Sequence, residues 1–366
     1  MEAHSWHLAA GLVARGHDVV LFAAGDSDPL FAIDAVVPEH HERRFAGLEH
    51  RGDPGLRAYV DDGYAAACDR IAAGGFDVLH NNSLSRLPLE RRRTARVPTV
   101  TSLHVPPYAA RRGFVHAGTP PGARGTPPSR PSSFPMRIVP PYDALRGFVH
   151  DSPAPGHRIS VTSRAQLRAW WPEGAPPEAS VLHNGVDPAA WPFRDRGDGS
   201  AAWSGRLAAI KGAHCAIAAA KRAGIPLTLY GPIEEPDYWA ARIAPELGGP
   251  IRYGGHLDGP ALAAEIGRAS VFLFTPCWDE PFGLVAIEAM ACGLPVAGLA
   301  NGAAREVIGE AGCLVEPGDA AALAGAIGAA LAIPRPVPRD RVRRLFSRDR
   351  WLDACEALYR QARAGL

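Results

Sequence analysis

Residues 277–296, CWDEPFGLVAIEAMACGLPV, place two carboxylates, Glu280 and Glu288, on either side of a helix start. Pro281 and Gly283 precede a helix expected over 284–292, whose apolar residues Leu284, Ile287 and Ala291 form a stripe. Glu288 falls in that apolar neighbourhood. An ionised carboxylate there is costly unless hydrogen bonds satisfy it, and the vicinal hydroxyls of a ribose would do so; the alternative is a glutamate on the solvated side of the helix. The same helix start offers unpaired N–H groups at Gly283, Leu284 and Val285, at the positive end of the helix dipole, which suits a phosphate. Glu280, one turn earlier, is placed to accept hydrogen bonds from sugar hydroxyls beside that phosphate.

A second stretch, Ser204-Gly205-Arg206-Leu207 through Lys211-Gly212, follows a strand expected to end at Trp203. Lys211 and Lys221 are the only lysines, the other 37 of the 39 basic residues being arginine, so a lysine is more informative here than usual. Arginine grips phosphate bidentately and lysine adds a compact point charge, a pair suited to the negative charge that grows on a departing diphosphate. The alternative is a solvated loop with ordinary charges.

Strands are expected at 18–22 (buried, after a helix from Ser5 that stops at Gly16), 78–79, 97–103, 159–162, 180–182, 201–203, 227–230, 251–253 and 271–274. Helical stretches separate most of them, which indicates parallel sheets with ligands beyond the carboxyl ends of the strands. The 366 residues, 47% hydrophobic, suffice for two α/β domains. The turn Asn184-Gly185-Val186-Asp187-Pro188 divides them, giving domains 1–184 and 185–347 and a C-terminal helix within 348–366. That last helix carries Trp351, Leu352, Cys355, Leu358 and Tyr359 on one side, toward a partner its own sequence does not name.

Formal charge is +1, so no global field draws the chain to nucleic acid or an anionic membrane. The runs Arg43-Arg44, Arg91-Arg92-Arg93 and Arg111-Arg112 are read as solvated charge ahead of a membrane-surface contact. Cys68, Cys215, Cys277, Cys292, Cys313 and Cys355 form no CxxC pair, which argues against a structural zinc site and a disulfide scaffold. No long apolar run or secretion signal is present, and the expectation is a soluble cytoplasmic protein. VPPYAARRGFVH at 105–116 recurs as VPPYDALRGFVH at 139–150, matching at ten of twelve positions with an offset of 34. The Pro/Gly/Arg/Ser-rich spacer between the copies cannot offset chain entropy by burial, so 105–138 is expected to be a disordered insertion.

GR-x4-KG followed by E-P-F-G-L-x3-E-A-M-A-x-G-x-P-V resembles the retaining family 4 glycosyltransferases, which have the two-domain GT-B fold. The resemblance runs from about residue 3 to 364, interrupted by the insertion. It implies Arg206 and Lys211 on the donor diphosphate, Glu288 on the ribose and Glu280 on the transferred sugar. Gly205, Phe282, Gly283, Leu284 and Val285 would line the donor. Tyr253-Gly254-Gly255-His256-Leu257 matches the loop whose backbone reads the nucleobase, so Gly255, His256 and Leu257 join the donor set. His104, in TSLH after a first-domain strand, matches a histidine that approaches the hexose; a lone histidine there is as often structural. His80, in DVLH, is read as structural. By YGPIEEPDYW and GGHLD the chain looks most like actinobacterial UDP-glucose-type members.

The implied reaction moves a hexose from a nucleotide-diphosphate sugar, a UDP-sugar, to an acceptor hydroxyl with retention. The acceptor attacks from the face the diphosphate leaves, and a phosphate oxygen takes the proton. No metal, cofactor or protein nucleophile is implied; the acceptor, a small molecule, glycan or lipid, is not legible. Family members begin with a strand and glycine-rich loop before the first helix, whereas Met1 and Glu2 directly precede it here. Either translation starts upstream, or the first domain is compromised and the chain is a remnant that binds nucleotide sugar without turnover. A glycoside hydrolase would use two carboxylates but has no need of Arg206, Lys211 or a phosphate-facing helix start. An isomerase acting on the donor alone would yield an epimer, and a phosphorylase would need a further lysine for its cofactor.

Overall fold

The computed structural model describes residues 2–45, 53–83, 85–91, 97–107 and 154–365. Nearly all of the expected insertion, the second repeat copy, Arg92, Arg93, Arg111 and Arg112 lie outside the described residues. The described residues form twelve strands: β1 (Val20–Ala24), β2 (Ala32–Val37), β3 (Leu79–Asn81), β4 (Thr99–Leu103), β5 (His157–Val161), β6 (Ala179–Val181), β7 (Ala201–Ser204), β8 (Leu227–Tyr230), β9 (Ile251–Tyr253), β10 (Val271–Phe274), β11 (Val296–Leu299) and β12 (Gly312–Val315). The helices used below are α1 (Glu2–Ala14), α2 (Pro54–Ala73), α3 (Arg164–Trp170), α4 (Ala213–Ala223), α5 (Leu284–Ala291), α6 (Ala320–Leu331) and α7 (Arg348–Ala364).

Strands β7 to β12 make one six-stranded parallel sheet in the order β12-β11-β10-β7-β8-β9. Its side chains alternate across the two faces, as a sheet covered on both sides requires. Phe272 and Phe274 pack with Ala286, Ile287 and Met290 of α5 on one face. Val271 and Leu273 join Ala216 and Ala220 of α4 and Ile327 of α6 on the other. The order of strands reverses between β7 and β10, the position at which an open parallel sheet leaves a crevice beyond its carboxyl ends. Val271 and Phe272 of β10 lie against Ala201 and Ala202 of β7, so the loops leaving these two strands must meet.

The first half holds a four-stranded parallel sheet, β3-β4-β5-β6, and a separate parallel pair, β1-β2. The strand expected over 18–22 as buried forms instead at Val20–Ala24 and is half-exposed, because β2 is its one ladder partner. Strands β2, β11 and β12 carry no signal read from the sequence. GCLV and VAGL are too short and too rich in small residues to alternate visibly.

The last helix returns to the first half. Trp351, Leu352, Cys355, Leu358 and Tyr359 are buried with Leu8 and Leu12 of α1, Val100 of β4 and Leu182. The two chain crossings between halves run side by side: Val186 N donates to the Phe346 carbonyl (2.9 Å) and Arg348 N to the Val186 carbonyl (2.8 Å). Glu306, from the second half, accepts from His183 Nε2 (2.7 Å) and from Arg164 N (2.9 Å) at the start of α3. Burial raises its acid, but these hydrogen bonds win and hold it below the ordinary value. Arg43 pairs with Asp26, Arg44 with Glu39 and Arg91 with Asp69, which fits surface charge.

Candidate active site

The loops after β7 and β10 are joined by backbone and hydroxyl bonds. Cys277 N donates to the Ile210 carbonyl (2.8 Å), and Thr275 Oγ1 donates to the Gly212 carbonyl (2.8 Å). Gly212 sits in the left-handed region at φ 70°, and a Cβ there would collide with the Thr275 carbonyl. No other residue fits this crossing. Gly212→Ala is therefore expected to lose about 1–2 kcal/mol from backbone strain, and more from the clash, readable as a lowered melting temperature.

This crossing brings Lys211 to Glu280. Lys211 Nζ lies 2.7 Å from Glu280 Oε2 across 69 residues, and Trp278 Nε1 donates to the same oxygen at 2.7 Å. Lys211 Nζ also stands 5.0 Å from the centre of the Trp278 ring. Among the described residues no hydrogen bond reaches Glu280 Oε1. The backbone of Glu280 is fixed by Ala303 N, which donates to its carbonyl (2.8 Å), and that of Pro276 by Asn301 Nδ2 (2.6 Å). Trp278 is a site residue that sequence reasoning missed; an indole two positions before Glu280, in a loop that follows a strand, was the available signal.

Arg206 is half-exposed and pairs with Glu234, so the two cations that the sequence brings to one loop are held by different carboxylates. Gly205 N donates to the Tyr230 carbonyl (3.0 Å), and Gly231 N to the Gly255 carbonyl (2.9 Å), which draws the β8 and β9 loops to the β7 loop. His256 is exposed and Leu257 half-buried against the core.

Helix α5 begins at Gly283, in the left-handed region at φ 91°, with no side-chain cap on its first N–H groups. That leaves the N–H groups of Gly283, Leu284 and Val285 for a ligand, at the positive end of the dipole. Two details depart from the sequence reading. Leu284, placed on the buried stripe, is 36% exposed, and the buried face runs through Ala286, Ile287, Met290 and Ala291. Phe282, placed in the donor lining, is buried and lies edge-on to Phe346 at 5.6 Å, so it anchors the loop from beneath. An apolar ring beside a glycine hinge is better satisfied in the core than in a polar crevice.

Glu288 is half-buried on α5, and its carboxylate has no hydrogen bond or ion pair among the described residues. Burial raises its acid from 4.5 to about 7. The remaining residue, His104, follows β4 at the carboxyl end of the first sheet. Its Nε2 lies 3.0 Å from Asn82 Oδ1 and its ring 4.5 Å from that of His4. Burial pushes it down to about 4, so it is neutral near pH 7. A polar chain links that region to the Glu280 loop. Gln166 Nε2 donates to the Leu103 carbonyl (2.9 Å), and Thr162 Oγ1 lies 2.7 Å from Gln166 Oε1 and 3.1 Å from the Pro281 carbonyl. His80 bonds Tyr359 Oη (2.6 Å) and Ser102 Oγ (2.8 Å), a packing role.

Two parallel-sheet α/β halves, with cations and a free helix start where the strand order reverses, make a GT-B-type fold. Residues 1–190 match the model described as Glycosyltransferase Family 4, and residues 200–332 that of Glycosyl transferases group 1. The chain belongs to glycosyltransferase family 4. It is 37% identical over 175 residues to a glycogen synthase of Mycobacterium tuberculosis, covering 44% of this chain and 42% of that protein. The chain thus spans about half or less of the length of the curated relatives it matches. In fold it is similar to sucrose-phosphate synthase of Thermosynechococcus elongatus (TM-score 0.70, 24% identity, 98% of this chain and 92% of that one). Anabaena HepE in complex with UDP-glucose is similar at TM-score 0.66 (16% identity, 96% and 94%). Among the described residues no single helix is long and apolar enough to cross a membrane.

Proposed function

We propose that the chain transfers a hexose from a UDP-sugar to an acceptor hydroxyl with retention of anomeric configuration. The observation that carries this reading is the Lys211–Glu280 pair at 2.7 Å, set where strand order reverses and beside the uncapped start of α5. Lys211, Arg206 and the N–H groups of Gly283 and Leu284 hold the diphosphate. Glu280, its Oε2 saturated by Lys211 and Trp278, presents Oε1 to the hydroxyls of the transferred sugar. Glu288 accepts from the ribose. Neutral His104 hydrogen-bonds the hexose without repelling the lysine. Charge on the leaving diphosphate is met by side-chain cations, so transfer needs no metal and no cofactor. HepE, whose crystals hold UDP-glucose, supports the choice of donor. Six free thiols fit a reducing compartment, and we place the protein in the cytoplasm.

The test is transfer of labelled glucose from UDP-glucose to an acceptor panel, with the product anomer read by NMR. An inverted product overturns retention. Loss of activity on chelation overturns metal independence, and binding without turnover across the panel favours a non-catalytic remnant.

Glu288 supplies a pH test. Ribose hydroxyls donate to the carboxylate form, whose acid burial raises to about 7. Affinity for UDP is therefore expected to rise from about pH 6 to about pH 8, by up to about tenfold per unit below that value. Stability moves the other way. The raised acid contributes stability fully present below 4.5 and lost as pH rises through about 7. Glu288→Gln should flatten both profiles in calorimetric titration and thermal melts.

A further inference from the structure

Beyond the transfer site, His214, Cys215 and Cys277 bring one ring nitrogen and two sulfurs within 4.8 Å of one another, all partly buried. His214 Nε2 lies 3.4 Å from Cys215 Sγ, and Cys215 Sγ lies 3.9 Å from Cys277 Sγ. With metal–sulfur bonds of about 2.3 Å and metal–nitrogen bonds of about 2.0 Å, tetrahedral zinc sets sulfur–sulfur edges of about 3.8 Å and nitrogen–sulfur edges of about 3.5 Å. Two of the three edges match such a tetrahedron, and the third, between His214 and Cys277, lies within 4.8 Å. The other ring nitrogen, His214 Nδ1, is 2.8 Å from Tyr238 Oη. Such a partner fixes the ring and its tautomer, as the outer contacts of metal-ligating histidines do.

We propose that His214, Cys215 and Cys277 form a binding site for a thiolate-preferring divalent cation of the zinc class, with a fourth position open to water. Thiolate and imidazole ligands select zinc over magnesium or calcium, which require oxygen. Binding displaces the thiol protons to solvent. His214 and Cys215, in the first turn of α4, follow Lys211-Gly212 after Ala213, and Cys277 is three residues before Glu280, so the cation would tie the start of α4 to the loop after β10, next to the Lys211–Glu280 pair. Chain spacing could not reveal this site, since Cys215 and Cys277 are 62 residues apart. The proposed site departs from the sequence-based expectation of no structural zinc site, drawn from the missing CxxC pair.

The test is titration of the full-length protein with Co²⁺ as a spectroscopic stand-in, under anaerobic reducing conditions, with Zn²⁺ then added as competitor. The expected result is one equivalent bound, with intense tetrahedral visible bands and a thiolate-to-cobalt charge-transfer band, both erased by Zn²⁺. Cys215→Ser and Cys277→Ser should each remove the charge-transfer intensity from the full two-thiolate value, whereas Cys313→Ser should keep it. Tyr238→Phe should weaken Co²⁺ binding roughly tenfold. The weak spectrum of hydrated cobalt with wild-type protein, or a band unchanged in either of those cysteine variants, would overturn the site. None of these readouts involves a sugar donor, so failure here and failure of the transferase reading are separate results.

Discussion

Lys211→Ala is expected to lower turnover of nucleotide sugar by about 10²-fold or more, the usual cost of deleting one preorganised donor aimed at developing charge. The side chain is placed by three independent restraints: the Gly212 crossing, the Glu280 carboxylate at 2.7 Å and the Trp278 ring. It pays little reorganisation when the diphosphate departs. Removing it also strands Glu280, which is 8% exposed, beside Trp278 alone, so some stability is lost with the activity. Arg206→Ala separates the two effects. Arg206 is half-exposed and, among the described residues, pairs with Glu234, so its loss should cut turnover while leaving the melting temperature near that of the parent. Near-normal kcat in both variants would contradict the clamp.

Glu280→Gln carries the second large effect. The amide keeps the volume and one acceptor but removes the charge that pairs Lys211 and that, in the proposed transfer, would hold the sugar hydroxyls. Turnover should fall about 10²-fold, with a smaller change in KM because the diphosphate contacts persist. Steady-state kinetics with the fold verified by circular dichroism would show it. A variant that loses KM and keeps kcat would place Glu280 in ground-state binding alone.

How far the chain could be read residue by residue follows from what each signal reports. Strands β8 and β10 are found at their sequence-expected limits because each is a short, largely apolar run ended by a glycine or a polar residue, and β9, Ile251-Arg252-Tyr253, because it lies between Pro250 and Gly254. The start of α5 is visible because Pro281 and Gly283 punctuate it. Trp351, Leu352 and Cys355 show that the last helix buries a face, but periodicity says nothing of which surface receives it. The side-chain packing of Phe282 was hidden for the same reason: an aromatic ring reports that it wants burial, and only packing shows that Phe346 and the core lie beneath the loop.

The amino-acid order by itself determined the class of fold, the position of the two candidate-site loops and the identity of the carboxylates and cations they carry. Those are properties of neighbours along the chain, set by local propensity, turn chemistry and spacing. Tertiary structure alone decided that Lys211 meets Glu280, that Arg206 turns to Glu234, that Glu306 joins the halves and that His214, Cys215 and Cys277 converge. The first and last of these follow from the strand order β12-β11-β10-β7-β8-β9, which seats β7 beside β10 and so makes neighbours of residues more than sixty positions apart; Arg206 meets Glu234 because β8 pairs with β7 on its other side, and Glu306 meets His183 and Arg164 across the two halves.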